Sequence, residues 1–174
     1  MSLSLHAALV PAWVQILNSV RGLADKAAAH CADHGIDPAD LLQTRLIDDM
    51  LPLAYQFKSC TVHSRGAIEG AQKGAFSPDM SEPAGTFPAI IDRLDETVAW
   101  LSALDPASLD ALEGKEVIFS IGDKLRRPYT AENFLLGFSQ PNFYFHATTA
   151  YDILRMKGLP IGKRDYLGAT PVTT

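Results

Sequence analysis

The chain has 174 residues, 47% of them hydrophobic and 20% charged, which suits one globular domain with a substantial core and excludes a disordered chain. Its net charge is −5 and no run of Lys and Arg exceeds two, which argues against a nucleic-acid partner. No segment approaches the roughly 18 apolar residues of a membrane span, and Met1 to His6 lacks a basic leader, so the expectation is a cytoplasmic protein with no membrane partner.

From Ser4 to about His30, Leu9, Trp13, Ile16, Val20, Leu23 and Ala27 recur at alternating three- and four-residue steps. That spacing predicts a long helix with a bundle-type seam. Pro11 lies inside it and should kink it or delay its start. Gly35, after His34, is placed to end it, and Asp37-Pro38 opens a short helical turn with the aspartate as cap. His30 and His34 have ligand-like spacing but should bond the terminal carbonyls of this helix, and His6 should be solvated.

A second long helix is expected over Asp49 to Ala71, with Asp48 and Asp49 at its positive end and Pro52 in its first turn. Leu53, Phe57, Cys60, Ser64, Ala67 and Ala71 make its inward face, and Gly66 and Gly70 are candidates for close packing. Cys31 and Cys60 sit on separate helices with no C-x-x-C pairing, so they read as buried free thiols of a reducing compartment.

Lys73 to Gly85 has no sustained period and contains Gly74, Pro78, Pro83 and Gly85. Fully extended, it reaches roughly 43 Å, enough for a crossover that would let the second and third helices lie parallel. Thr86 caps the third helix, which runs to about Leu104 with Ile90, Ile91, Leu94, Val98 and Leu101 inward. Asp105-Pro106 restarts a short turn, and the segments Glu116–Ser120 and Lys124–Arg127 flank Gly122-Asp123 as a small β-hairpin packed on the helices. The fourth helix starts at Thr130–Asn133 and ends at Gly158. The whole is predicted to be all-α: a single four-helix-bundle domain over residues 1–174 with a small hairpin before the last helix.

The fourth helix carries the most informative stripe. At about 100° per residue, Leu135, Phe138, Asn142, His146, Thr149 and Ile153 fall in one narrow sector. Three polar side chains facing a core each need a partner, so they mark either a structural network or a site. Phe143, Tyr144, Phe145 and Tyr151 girdle the same helix on more than one face, which points to a homodimer.

Three motifs carry a family resemblance. They are Arg45-Leu46-x-x-Asp49-Met50-x-Pro52-Leu53, the run Pro141-Asn142-Phe143-Tyr144-Phe145-His146-x-Thr148-Thr149-Ala150-Tyr151, and Ile161-Gly162-Lys163-Arg164-Asp165. With the helix pattern they resemble an uncharacterised bacterial branch of the DinB/YfiT-like four-helix bundles, over Ser2 to Gly168. The resemblance implies a fold whose better-known members are metal-dependent enzymes, some of them thiol-dependent transferases or isomerases. Their metal is held by one His from helix two and two His, four apart, from helix four. Here that spacing falls on Asn142 and His146, while helix two offers His63 or, one heptad earlier, Gln56. An amide is a poor substitute for an imidazole, so the metal site reads as degenerate and no metal ligand is assigned. His63, followed by Ser64-Arg65, is expected at the solvent edge.

Two functions compete on these residues. One is a small-molecule site lined by Asn142, His146, Thr149 and Gln56, able to hold a divalent metal or an organic ligand, with His146 as general base if it is catalytic. The other is a non-catalytic interaction module whose polar trio is a fixed network that sets helix register. No nucleophile elbow, phosphate-cradling Gly-rich loop or C-x-x-C zinc pair supports hydrolase, kinase or redox chemistry.

Overall fold

Ser4 starts the first helix by accepting a hydrogen bond on its side chain from the Ala7 N–H at 3.2 Å, and the helix runs Leu5–His34 (α1). The structure is a computed structural model that describes residues 3–170. Every seam residue expected on α1 is buried. The helix passes through Pro11 instead of starting after it, because the Ser4 cap fixes the start nearly two turns earlier. It also runs four residues past His30, until Gly35 takes the left-handed conformation (φ 63°) and returns its N–H to Cys31. The His34 ring nitrogen Nδ1 lies 2.9 Å from the His30 carbonyl, the terminal bond expected of that pair. His6 is half-buried at the start of α1.

Asp37 caps Pro38–Leu42 (α2). The next helix, Leu53–Thr61 (α3), begins four residues later than its sequence suggests. Pro52 has no N–H and restricts the residue before it, so it stands at the cap in extended backbone. Asp48 and Asp49 therefore lie in the preceding turn and do not meet the helix terminus. A five-residue π turn, Val62–Gly66, joins α3 to Ala67–Lys73 (α4). All six residues of the expected inward face are buried along this rod. A Cβ on Gly70 would come within 3.0–3.1 Å of the Phe76 ring and the Ala75 carbonyl, so this glycine does permit close approach. Gly66 meets no such limit.

The crossover is not wholly irregular. Ala75–Phe76 (β1) pairs in parallel with Glu116–Ile121 (β2), which pairs antiparallel with Leu125–Thr130 (β3). The expected hairpin is thus part of a three-stranded sheet. Between β1 and β2 come Phe87–Ser102 (α5), capped by Thr86, and the short Pro106–Asp110 (α6). Ile90, Leu94 and Leu101 are buried on α5, while Ile91 and Val98 are half-buried.

Thr130 belongs to β3, not to the last helix. That helix opens with a π segment, Asn133–Ser139, and continues as Gln140–Met156 (α7). Pro141 explains the irregular start: it cannot donate to the turn before it, and a wider turn accommodates the missing bond. A final turn, Lys163–Leu167 (α8), follows. α1 packs against α5, α7 and α8, and α3 packs against α5 and α7, with the buried apolar residues of these helices in one cluster. Cys31 and Cys60 are both buried and free. Among the described residues no helix is long and apolar enough to cross a membrane.

Candidate functional site

Where α3 meets α7, three side chains converge. Gln56, 1% exposed, donates from Nε2 to the Leu51 carbonyl at 2.7 Å. That bond fixes which way the amide points, so its Oε1 is the atom that lies 2.7 Å from Nδ1 of His146. An amide oxygen only accepts, so His146 carries its proton on Nδ1 and presents an unprotonated Nε2. Leu51, Gln56 and His146 form a relay whose polarity is set from the backbone outward.

His63 completes the site. Its ring lies nearly parallel to that of His146, at 13° and 5.6 Å between centroids, and its Nδ1 is 3.5 Å from the Ser139 hydroxyl. Phe76 and Phe138 flank it at 5.7 and 5.9 Å. His63 is 7% exposed, which corrects its expected place at the solvent edge. The reason is local: His63 and Ser64 belong to the π turn, and both point inward there. Burial is the main force on both imidazoles. It lowers His146 to about 4, and burial plus the proximity of His146 lowers His63 to about 4. At neutral pH the pair is uncharged, and each ring offers a lone pair. His146 is thereby a good acceptor but a weaker base than its ordinary value suggests.

The remaining residues expected at the site behave differently. Asn142 is half-buried and its Nδ2 donates to the Phe138 carbonyl at 2.7 Å; Thr149 is buried and donates to the Phe145 carbonyl at 2.8 Å. Both are satisfied on their own helix. Gln56 and His146 are brought together. Ser139 and Tyr55, whose ring meets His146 edge-on at 6.1 Å, were not singled out from sequence. Ser139 does lie one helical turn before Asn142 and two before His146, at i−3 and i−7, and that spacing was available to find it. Among the described residues, no three of His, Cys, Asp and Glu come together as a metal-binding group.

Comparison with known proteins supports the family resemblance. A family model described as a domain of unknown function, DUF1993, matches residues 5–167. Among solved structures, the chain is similar to a DinB family member from Shewanella denitrificans, with a TM-score of 0.80 and 28% identity over 98% of this chain and 95% of that one. No curated protein matches.

Proposed function

We infer that this chain, which belongs to the DUF1993 family and has a DinB-like fold, holds a small polar ligand without a metal at the His63–His146 pair. We read α1, the rod from α3 to α4, α5 and α7 as a four-helix bundle forming one domain, with the site between its second and last members. The observation that carries the reading is the relay from Leu51 through Gln56 to His146, which leaves Nε2 as a fixed acceptor. A ligand O–H or N–H would bond Nε2, with the His63 and Tyr55 rings as walls. The DinB resemblance implies a three-imidazole metal site, and the donor set here does not fit it. Two imidazoles are present, and the amide nitrogen of Asn142, in the third position, is bonded to backbone. No step is derived through a metal.

The competing reading is a zinc- or nickel-dependent transferase. It draws on the same relay, because metal-ligating imidazoles are commonly oriented by an outer hydrogen bond. One experiment separates them: metal analysis of untagged protein by plasma mass spectrometry, with ¹⁵N NMR of the histidines during titration with phenol and with acetamide. We expect no stoichiometric metal, and a saturable movement of the His146 Nε2 resonance. Stoichiometric zinc or nickel that is lost in His146→Ala, or an Nε2 signal that neither probe moves, overturns the proposal.

We also propose that two copies pair through the aromatic girdle of α7. Phe145 is 53% exposed, beside half-buried Tyr144 and Tyr151, and this supports it. Sedimentation showing only monomer at micromolar concentration would remove the pairing.

A further inference from the structure

Roughly half a turn round α3 from the histidine pair, at about 100° per residue, lies a cavity of about 540 Å³. It sits between α3 with its π turn and α5, and crossover residues Asp79 to Ala84 roof it. Neither His63 nor His146 lines it. Its volume falls within the roughly 300–1,000 Å³ typical of small-molecule pockets. Its floor is Ala54, Phe57, Ile90 and Leu94, core residues at most 4% exposed, and the open apolar surface of its walls belongs to Val62, Pro83, Ala84 and Ala89. Thr61 and Thr97 add hydroxyls that are already satisfied, each donating at 2.8 Å to a carbonyl of its own rod, Lys58 and Arg93 respectively. Nothing in this lining needs a ligand in order to stay folded.

The roof is fastened independently of any occupant. The Lys58 ammonium reaches the carbonyls of Asp79 (3.0 Å) and Ser81 (2.6 Å), the Ser81 hydroxyl (2.9 Å) and the Asp79 carboxylate (3.0 Å). Hydrogen bonds from Ser81, with Lys58 beside it, hold the Asp79 carboxyl down at about 2. The pocket is therefore preformed, which lowers the ordering cost of binding.

Three cations and three carboxylates line the cavity, so total charge does not select a ligand. Their commitments do. Lys58 and Asp79 are engaged in the roof. Arg65 bonds Glu69 through Nε at 2.8 Å and covers the Trp100 ring at 5.3 Å. Arg93 differs: its side chain is 68% exposed and its ion pair, with Glu96, is long at 3.5 Å. It stands on the same helix as the Ile90 and Leu94 floor. A guanidinium so placed beside an apolar trough matches a planar carboxylate attached to an apolar body.

We propose that this cavity is a second binding site, for a monocarboxylate with a short aliphatic or aromatic body, its head on Arg93 and its body against Val62, Pro83, Ala84 and Ala89. The site stands apart from the histidine pair, and failure of either proposal leaves the other intact. The test is titration of the full chain with 4-phenylbutyrate, followed by amide NMR shifts, with 4-phenylbutylamine as the charge-reversed probe. Saturable shifts are expected at Thr61, Val62, Ile90 and Thr97, with no comparable binding of the amine. Arg93→Met should weaken the carboxylate by about tenfold, and Ala89→Trp, at an exposed position on the lining, should block it. Both substitutions fall on exposed residues, so the fold should survive them. Shifts that do not saturate, equal binding of the amine (which would assign recognition to Glu82), shifts centred on His63 and His146, or undiminished affinity in Arg93→Met would each overturn the proposal.

Discussion

The middle of the polar stripe on α7 and its two ends solve the same problem in different ways. Asn142 and Thr149 share a helix face with His146, yet each returns its hydrogen bond to a carbonyl four residues earlier. A hydroxyl or short amide can do this because its polar atom lies close to the backbone. His146 instead crosses to Gln56 on the neighbouring rod. An element-spanning bond between buried groups fixes tertiary position, whereas a bond within one turn reports only local comfort. Identical spacing on a helix thus conceals two kinds of polar residue, and only the imidazole holds two elements together.

The largest expected effect that could break this comparison is pH dependence. Both imidazoles ordinarily titrate near 6.5, and in the folded chain burial holds each at about 4. As pH falls through 6.5, the unfolded chain takes up protons that the folded chain refuses, so protonation favours unfolding. The contribution to stability is full above about pH 6.5, is lost between 6.5 and 4, and does not change further below that. It amounts to at most about 3 kcal/mol for each imidazole. Urea unfolding followed across this range should fall more steeply in the native sequence than in a His63→Asn/His146→Asn double variant. The carboxylates are common to both chains, so parallel curves would mean that the pair is solvated after all.

How much of this was legible depends on how local each cause is. The α1 seam and the Thr86 and Asp37 caps follow from side-chain period and short-range hydrogen bonding, and the chain displays them directly. β1 is two residues long and is held by a partner some forty positions away, so no period could reveal it. The π turns arise where proline or packing denies a regular bond, and one of them turns His63 inward, against the prediction. His146 could be foreseen as inward-facing, but its partner and the direction of the relay could not, because the relay begins at the Leu51 carbonyl in an irregular turn. The cavity over α3 was illegible for a similar reason: its roof is an aperiodic segment, fastened by a lysine that in sequence reads as an ordinary surface charge.

Smaller effects sharpen the contrast further, and they are best read as one series of urea-unfolding measurements. Gln56→Leu keeps most of the volume but leaves the half-buried His146 Nδ1–H unpaired and releases the carbonyl of exposed Leu51, at a cost of about 1–2 kcal/mol. Asn142→Ala loses one partly buried bond within a helix and should cost about 1 kcal/mol. Thr149→Val keeps the shape and removes a hydroxyl whose acceptor lies one turn away on the same helix, so about 0.5 kcal/mol is expected. The discriminating member is the double variant Gln56→Leu/His146→Phe. Removing both partners leaves no orphaned Nδ1–H, so its cost should fall well below the sum of the two single changes, whereas Gln56→Leu/Thr149→Val should be additive within about 0.5 kcal/mol. If the first pair is additive as well, Gln56 and His146 do not work as a unit, and the stripe on α7 holds only one kind of polar residue.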